Sequence, residues 1–218
     1  MRPFYRLQSK DEKGGADPLK SWFKRKWRSK APDGDIIEHH EENPPGLALL
    51  CPDCPGIKPG VESINLPLET AQSRSPVFMS RFSHVGLITR DFVELLGRKL
   101  VSQHLHLGKV ILQGREILGL ETFTGRFRNI IRGSRNPQFR KCGTCNQPSY
   151  FAVGDQYLSR AELCDVPIST DGHYLIVRDE VMDRIDRNRW NWLEILKLPV
   201  LETVRDGMPE RLYDLPVE

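Results

Sequence analysis

Two C-x-x-C pairs, Cys51-Pro-Asp-Cys54 and Cys142-Gly-Thr-Cys145, constrain this chain more than any other feature. Two residues between cysteines let both thiolates face one ion from a tight turn, and Pro52 and Gly143 suit such turns. Two turns brought together supply the four-thiolate tetrahedron that zinc prefers in closed structural sites. The spacer, Pro55 to Lys141, far exceeds the roughly 15–20 residues usual between such pairs. The expectation is one structural zinc ion held by Cys51, Cys54, Cys142 and Cys145, with a substructure inserted between the two knuckles at 51–54 and 142–145. A redox pair is the alternative, but such a pair usually opens a helix, and Pro55 with its loop-like surroundings opposes that at the first pair. Four thiolates leave no open position for a catalytic zinc. The fifth cysteine, Cys164, is expected to be a small buried hydrophobe.

At 218 residues, with 39% hydrophobic and 28% charged, the sequence suits a globular chain with a sizeable core. No apolar run approaches the roughly 18–20 residues that span a bilayer, and the opening Met1-Arg-Pro-Phe-Tyr-Arg lacks the apolar stretch of a secretory signal. A reducing cytoplasm is the expected setting, with no membrane partner and no small-molecule substrate. There, paired cysteines favour metal over disulfide.

The pattern along the chain predicts an α+β fold, with a mixed or mostly antiparallel sheet. Phe4-Tyr-Arg-Leu reads as an opening strand, and Leu47-Ala-Leu-Leu as a strand delivering the first cysteine pair. Lys20 to Lys30 is basic and aromatic, with Phe23 and Trp27 on one possible helix face. Ala31 to Gly46 reads as a loop, and four prolines within 55–80 forbid long regular elements there. A weak repeat follows: Leu87-Ile-Thr-Arg-Asp-Phe-Val resembles Leu175-Ile-Val-Arg-Asp-Glu-Val. In each, an apolar strand reaches an aspartate, Asp91 or Asp179, suited to cap a following helix. The helix faces are Phe92/Leu95/Leu96/Leu100 and Val181/Met182/Ile185. Strand-like runs return at Val110-Ile-Leu and Leu193 to Leu198, giving two strand–helix–strand units. Between the first unit and the second cysteine pair, Ile117 to Ile131 reads as a hairpin turning near Gly125. The whole, 1–218, is expected to be a single domain, with an inserted strand–helix–strand subregion at about 81–135.

The order of an opening Arg-x-Phe-Tyr-Arg-Leu, an early Cys-Pro-x-Cys, a late C-x-x-C and a closing strand–helix–strand resembles the double-CXXCG motif proteins. These are bacterial immunity proteins paired with toxins of contact-dependent or polymorphic systems. Glycine falls one position late after the first pair, at Gly56, and Asn146 follows the second. The resemblance implies that Cys51, Cys54, Cys142 and Cys145 are metal ligands. It also implies a cognate protein toxin as partner, its active site occluded without catalysis. Candidate anchors are Trp22, Phe23 and Trp27, or Trp190 and Trp192, with acidic Glu38, Glu41 and Glu42 suited to a basic nuclease.

No catalytic residue is expected: no G-x-S-x-G, H-E-x-x-H or phosphate-binding glycine loop occurs. His39-His40 lies in an acidic loop, His104-x-His106 lacks a neighbouring carboxylate, and nothing in the pattern positions Cys164 with His173. Charge is distributed in blocks, with net +7 over 1–30, −6 over 31–97, +8 over 98–141 and −6 over 142–218. The basic 98–141 and 20–30 segments support an alternative function, nucleic-acid binding through a zinc ribbon. Arg115, Arg126, Arg128, Arg132, Arg135, Arg140 and Lys141 crowd the second knuckle, with Phe123, Phe127 and Phe139 interleaved, a mixture suited to phosphate contact and base stacking.

Overall fold

A computed structural model describes residues 3–10, 27–30, 36–39, 51, 66–68, 75–79, 85–112, 115–134, 142–144, 152, 154–172, 174–186 and 189–202. The fold is α+β, with mostly antiparallel sheets and few helices. Among the described residues no helix is long and apolar enough to cross a membrane.

The central element is a four-stranded sheet. Its strands are β1 (Phe4–Ser9), β11 (Ile168–Thr170), β12 (Leu175–Arg178) and β13 (Leu193–Leu198), in the order β11-β12-β1-β13. β1 runs antiparallel to both neighbours, with Phe4 opposite Arg178 on one side and Leu198 on the other. Because side chains alternate along a strand, the sheet presents two apolar faces. Leu7, Leu175, Val177 and Leu193 belong to one core, and Phe4, Ile176 and Leu198 to another. Leu175-Ile-Val therefore reads as continuous apolar sequence, as a strand buried on both faces must.

The larger core lies between this sheet and a five-stranded one. The second sheet comprises β4 (Leu66–Leu68), β5 (Val77–Met79), β6 (Gly86–Thr89), β7 (Leu105–Leu112) and β8 (Arg115–Gly125), ordered β4-β7-β8-β6-β5. Val77, Met79, Ile88 and Phe123 meet Leu7 and Val177 there. Only short strands occur in the proline-rich 55–80 stretch among the described residues. The smaller core is closed by β9 (Ile131–Gly133), β10 (Gln156–Ser159) and β14 (Val200–Leu201), through Ile131 and Leu158.

Both expected strand–helix–strand units are present. In the first, β6 leads into helix α1 (Arg90–Leu96), then α2 (Arg98–His104) and β7. In the second, β12 leads into the single turn α3 (Asp179–Met182), then β13. Each unit is split, since β8 lies between β6 and β7 as β1 lies between β12 and β13, antiparallel to its neighbours. The likeness extends one strand upstream, because β5 pairs antiparallel with β6 as β11 does with β12.

Four details depart from the sequence expectations. Asp91 and Asp179 sit in the first helical turn, where a carboxylate favours the dipole. The N-cap of α1 is Thr89, whose hydroxyl accepts the Phe92 N–H at 3.4 Å, and α3 starts after Arg178 without a side-chain cap. The single helix face ending at Leu100 is broken at Gly97, whose φ of 93° lies where side chains other than glycine are strained. Of the basic aromatic run only Trp27–Lys30 is described, and it forms a strand; Lys20 to Lys26, with Phe23, lies outside the described residues. β2 (Trp27–Lys30) pairs antiparallel with β3 (Ile36–His39), which lies inside the stretch expected to be loop. Finally, the chain bends just after Gly125 but no hairpin closes there, because β9 pairs with β10 and β8 with β7. β7 and β8 turn between Leu112 and Arg115, and β8 runs unbroken to Gly125.

Gly125 has a different purpose. A Cβ there would lie 2.1 Å from Thr170 Oγ1 and 3.0 Å from the Phe127 carbonyl, so glycine lets the end of β8 pass against β11. Gly125→Ala is expected to cost about 1–3 kcal/mol by overpacking, measured by urea unfolding. Adding Thr170→Ala should recover part of that loss, because the two positions share one contact. Equal stability of Gly125→Ala and wild type would contradict this packing.

Candidate metal centre

Cys51 and Cys142, 91 positions apart, lie with their Sγ atoms 3.7 Å from each other, both buried. A disulfide would hold sulfurs at about 2.05 Å. Two thiolates on one tetrahedral zinc, at Zn–S about 2.3 Å, stand about 3.8 Å apart. The observed separation excludes a disulfide; it equals the contact distance of two free thiols and also the spacing of two ligands on one zinc. The pair also clusters with itself and not with either apolar core, whereas cysteines buried as small hydrophobes usually join the core. Gly143 and Thr144 after Cys142 form an exposed turn, as a knuckle requires. Cys54 and Cys145 lie outside the described residues, as does the Leu47 to Leu50 run. Among the described residues no group of three or more metal-ligating side chains occurs.

Cys164 is half-buried and fixed through its backbone. Asn129 donates through Nδ2 to the Cys164 carbonyl at 2.9 Å and accepts the Cys164 N–H through Oδ1 at 2.7 Å. Burial pushes the thiol pKa up, and the neighbouring Asp165 carboxylate adds to the shift. An activated nucleophile needs the opposite shift. His173 lies outside the described residues. His104 Nδ1 is 2.9 Å from the Leu100 carbonyl, and its ring lies against Phe127.

The structure divides the basic block. Phe123 is in the core. Arg132 is buried and pairs with Glu162, of the 3₁₀ turn Arg160–Glu162, at 2.6 Å. Arg98 pairs with Glu94 at 2.6 Å and Glu121 at 3.1 Å, its pKa raised first by the Glu94 hydrogen bond. Lys109 pairs with Glu116 at 2.7 Å. Arg115 and Arg126 are exposed, and so is Phe127. Arg135, Phe139, Arg140 and Lys141 lie outside the described residues. Of the tryptophans, Trp190 packs edge-on against Phe92, with ring centroids 5.3 Å apart, and joins the larger core. Trp192 is exposed. Trp22, Phe23, Glu41 and Glu42 lie outside the described residues.

Comparison with protein-family models, curated proteins and solved structures returns no match.

The raised Cys164 pKa has a kinetic consequence. At pH 8 a smaller fraction of Cys164 is thiolate than of a free thiol with pKa about 8.5, so alkylation by iodoacetamide should be slower. Its rate should keep rising with pH beyond the point where a free cysteine levels off. Asp165→Asn removes one cause of the shift and should speed alkylation at pH 8. Mass-spectrometric alkylation rates check this, and a faster reaction than that of free cysteine would contradict it.

Proposed function

We propose that this protein binds and neutralises a cognate bacterial toxin by covering its active site, performing no chemistry itself. We further propose that a zinc ion on Cys51, Cys54, Cys142 and Cys145 holds its fold together. The observation that carries the proposal is the buried Cys51–Cys142 pair at 3.7 Å. It supports a meeting of the two C-x-x-C motifs in space, and the order of those motifs is what connects the chain to immunity proteins.

The donor set suits this role. Four thiolates close a zinc coordination sphere, leaving no position for water or substrate, so the bound ion supplies stability and not reactivity. The protein's own residues position the site. Cys142 follows β9, whose Ile131 joins the core shared with β1, so a staple between Cys51 and Cys142 ties an early segment of the chain to that layer. Neutralisation by occlusion then needs only a rigid complementary face. Tight inhibitors of this kind bury on the order of 1,600 Å² in total, with a few aromatic and arginine side chains carrying most of the energy.

Elemental analysis of the purified protein should find about one zinc per chain. Cys51→Ser or Cys142→Ser should lose the metal and lower the thermal midpoint, because metal binding is folding energy in such sites. Cys54→Ser and Cys145→Ser should do the same. A metal-free wild type that is fully folded would overturn the zinc assignment. For the partner, the chain is co-expressed with the product of the adjacent gene in the source genome. Rescue of growth and co-purification are expected, and neither occurring would overturn the inhibitor assignment.

A further inference from the structure

We infer that the turn Arg126-Phe127, leaving the end of β8, is a preformed anchor for the partner protein. The partner surface it fits is an apolar pocket bordered by carboxylates. This rests on the inhibitor function proposed above, and it names the face that would carry that function.

Three large hydrophobic side chains are exposed among the described residues: Leu118 at 64%, Phe127 at 37% and Trp192 at 37%. Phe127 is held through its backbone at several points. Its carbonyl accepts the Thr170 N–H at 3.1 Å, the Asn129 N–H donates to the Thr170 carbonyl at 3.1 Å, and the Arg126 N–H donates to the His104 carbonyl at 3.0 Å. Gly125 is pressed against Thr170 immediately before the turn, and the His104 ring stands 5.5 Å from the Phe127 ring. The backbone carrying this aromatic is thus tied on both sides to elements of the main core. An aromatic side chain presented from a fixed backbone loses little conformational freedom on binding. Aromatic and arginine residues together dominate the energy of tight interfaces.

The adjacent charge gives the partner's chemistry. Arg126 is exposed, its Nε donates to the Leu105 carbonyl at 3.4 Å, and no described carboxylate pairs with it. Elsewhere on β8 the charges are paired, Glu116 with Lys109 and Glu121 with Arg98. A guanidinium without an acidic partner, beside an exposed ring, is complementary to a carboxylate next to an apolar pocket. Stacking on single-stranded nucleic acid favours successive aromatic platforms. Phe123, the nearest other phenylalanine in that run, is buried in the core, which favours a protein partner.

The test measures binding of the purified adjacent-gene product, inactivated by substitution, to immobilised wild type and to Phe127→Ala, Arg126→Glu and Leu118→Ala. Thermal midpoint and zinc content are checked against wild type, and unchanged values exclude a folding defect. Phe127→Ala is expected to weaken binding by about 30-fold or more, the scale of an interface hot spot. Arg126→Glu should weaken it too, and more at low salt than at high salt. Leu118→Ala should leave binding unchanged. Capture by wild type that neither Phe127→Ala nor Arg126→Glu weakens overturns this surface while leaving the inhibitor function standing. No capture by wild type overturns both. Wild-type retention of a single-stranded oligonucleotide that is lost in Phe127→Ala and competes with the protein overturns the choice of a protein partner.

Discussion

β1 is the constraint on which the rest of the fold depends. Six residues at the start of the chain enter between β12 and β13, two strands from its last fifth, and bond to both. Phe4 then faces one core and Leu7 the other, so a single strand couples the five-stranded sheet to the three-stranded one. Polar groups on β1 are also committed. Arg6, buried, donates to Gln156 of β10 and lies over the Tyr174 ring at 4.4 Å, while Tyr5 donates to Asp179 at the start of α3 at 3.3 Å. A buried guanidinium is costly unless its donors are engaged, so Gln156 and Tyr174 help fix β10 and β12 about the same strand. Contacts between the two ends of the chain close only after most of it has been made, and long-range closures of this kind slow folding.

The two split units meet across the larger core and complete each other. The Arg184 guanidinium, just after α3, donates to the Leu96 carbonyl at the end of α1, where the helix leaves carbonyls without internal partners. Trp190, from the second unit, stands edge-on to Phe92 of the first. A repeat whose copies only resembled each other in sequence would need no such exchange. Here each unit lacks one antiparallel middle strand of its own βαβ segment, and the fold supplies it from outside: β8 in one case, β1 in the other.

How much of this was legible depends on whether the signal was local. Leu175-Ile-Val and Leu87-Ile-Thr carry their strand and the following helix start in consecutive residues, and both units are where the sequence places them. Phe4-Tyr-Arg-Leu likewise reads correctly as a strand, but nothing in it says that its neighbours are far away, the nearest being Leu175 opposite Leu7. Gly125 shows the limit from the other side. A glycine before a basic aromatic run reads as a turn, yet its purpose is close approach to Thr170, a residue invisible in the local pattern. For the candidate metal site, the thiol chemistry of Cys51 and Cys142 was legible from spacing. Their convergence needed the structure. Arg132 and Phe123 carried the basic-aromatic pattern in sequence, but one is spent on Glu162 and the other on the core, because composition cannot distinguish a surface cation from a buried, paired one.

The proposed staple and the proposed binding face lie at opposite ends of the stretch from Gly125 to Cys142. Its beginning is locked by Thr170 against Gly125 and Phe127, its next residue inward by the Asn129 amide gripping both polar groups of the Cys164 backbone. Further on, β9 pairs with β10, and Arg132 of β9 is held by Glu162 at 2.6 Å. Burying that arginine is tolerable only with its carboxylate in place, since an unpaired buried charge costs several kcal/mol, on the order of 3–5. At the far end Cys142 lies against Cys51. The described parts of this run are thus held by contacts with β11, β10 and Cys51, and Phe127, the anchor proposed above, is presented from the first of them.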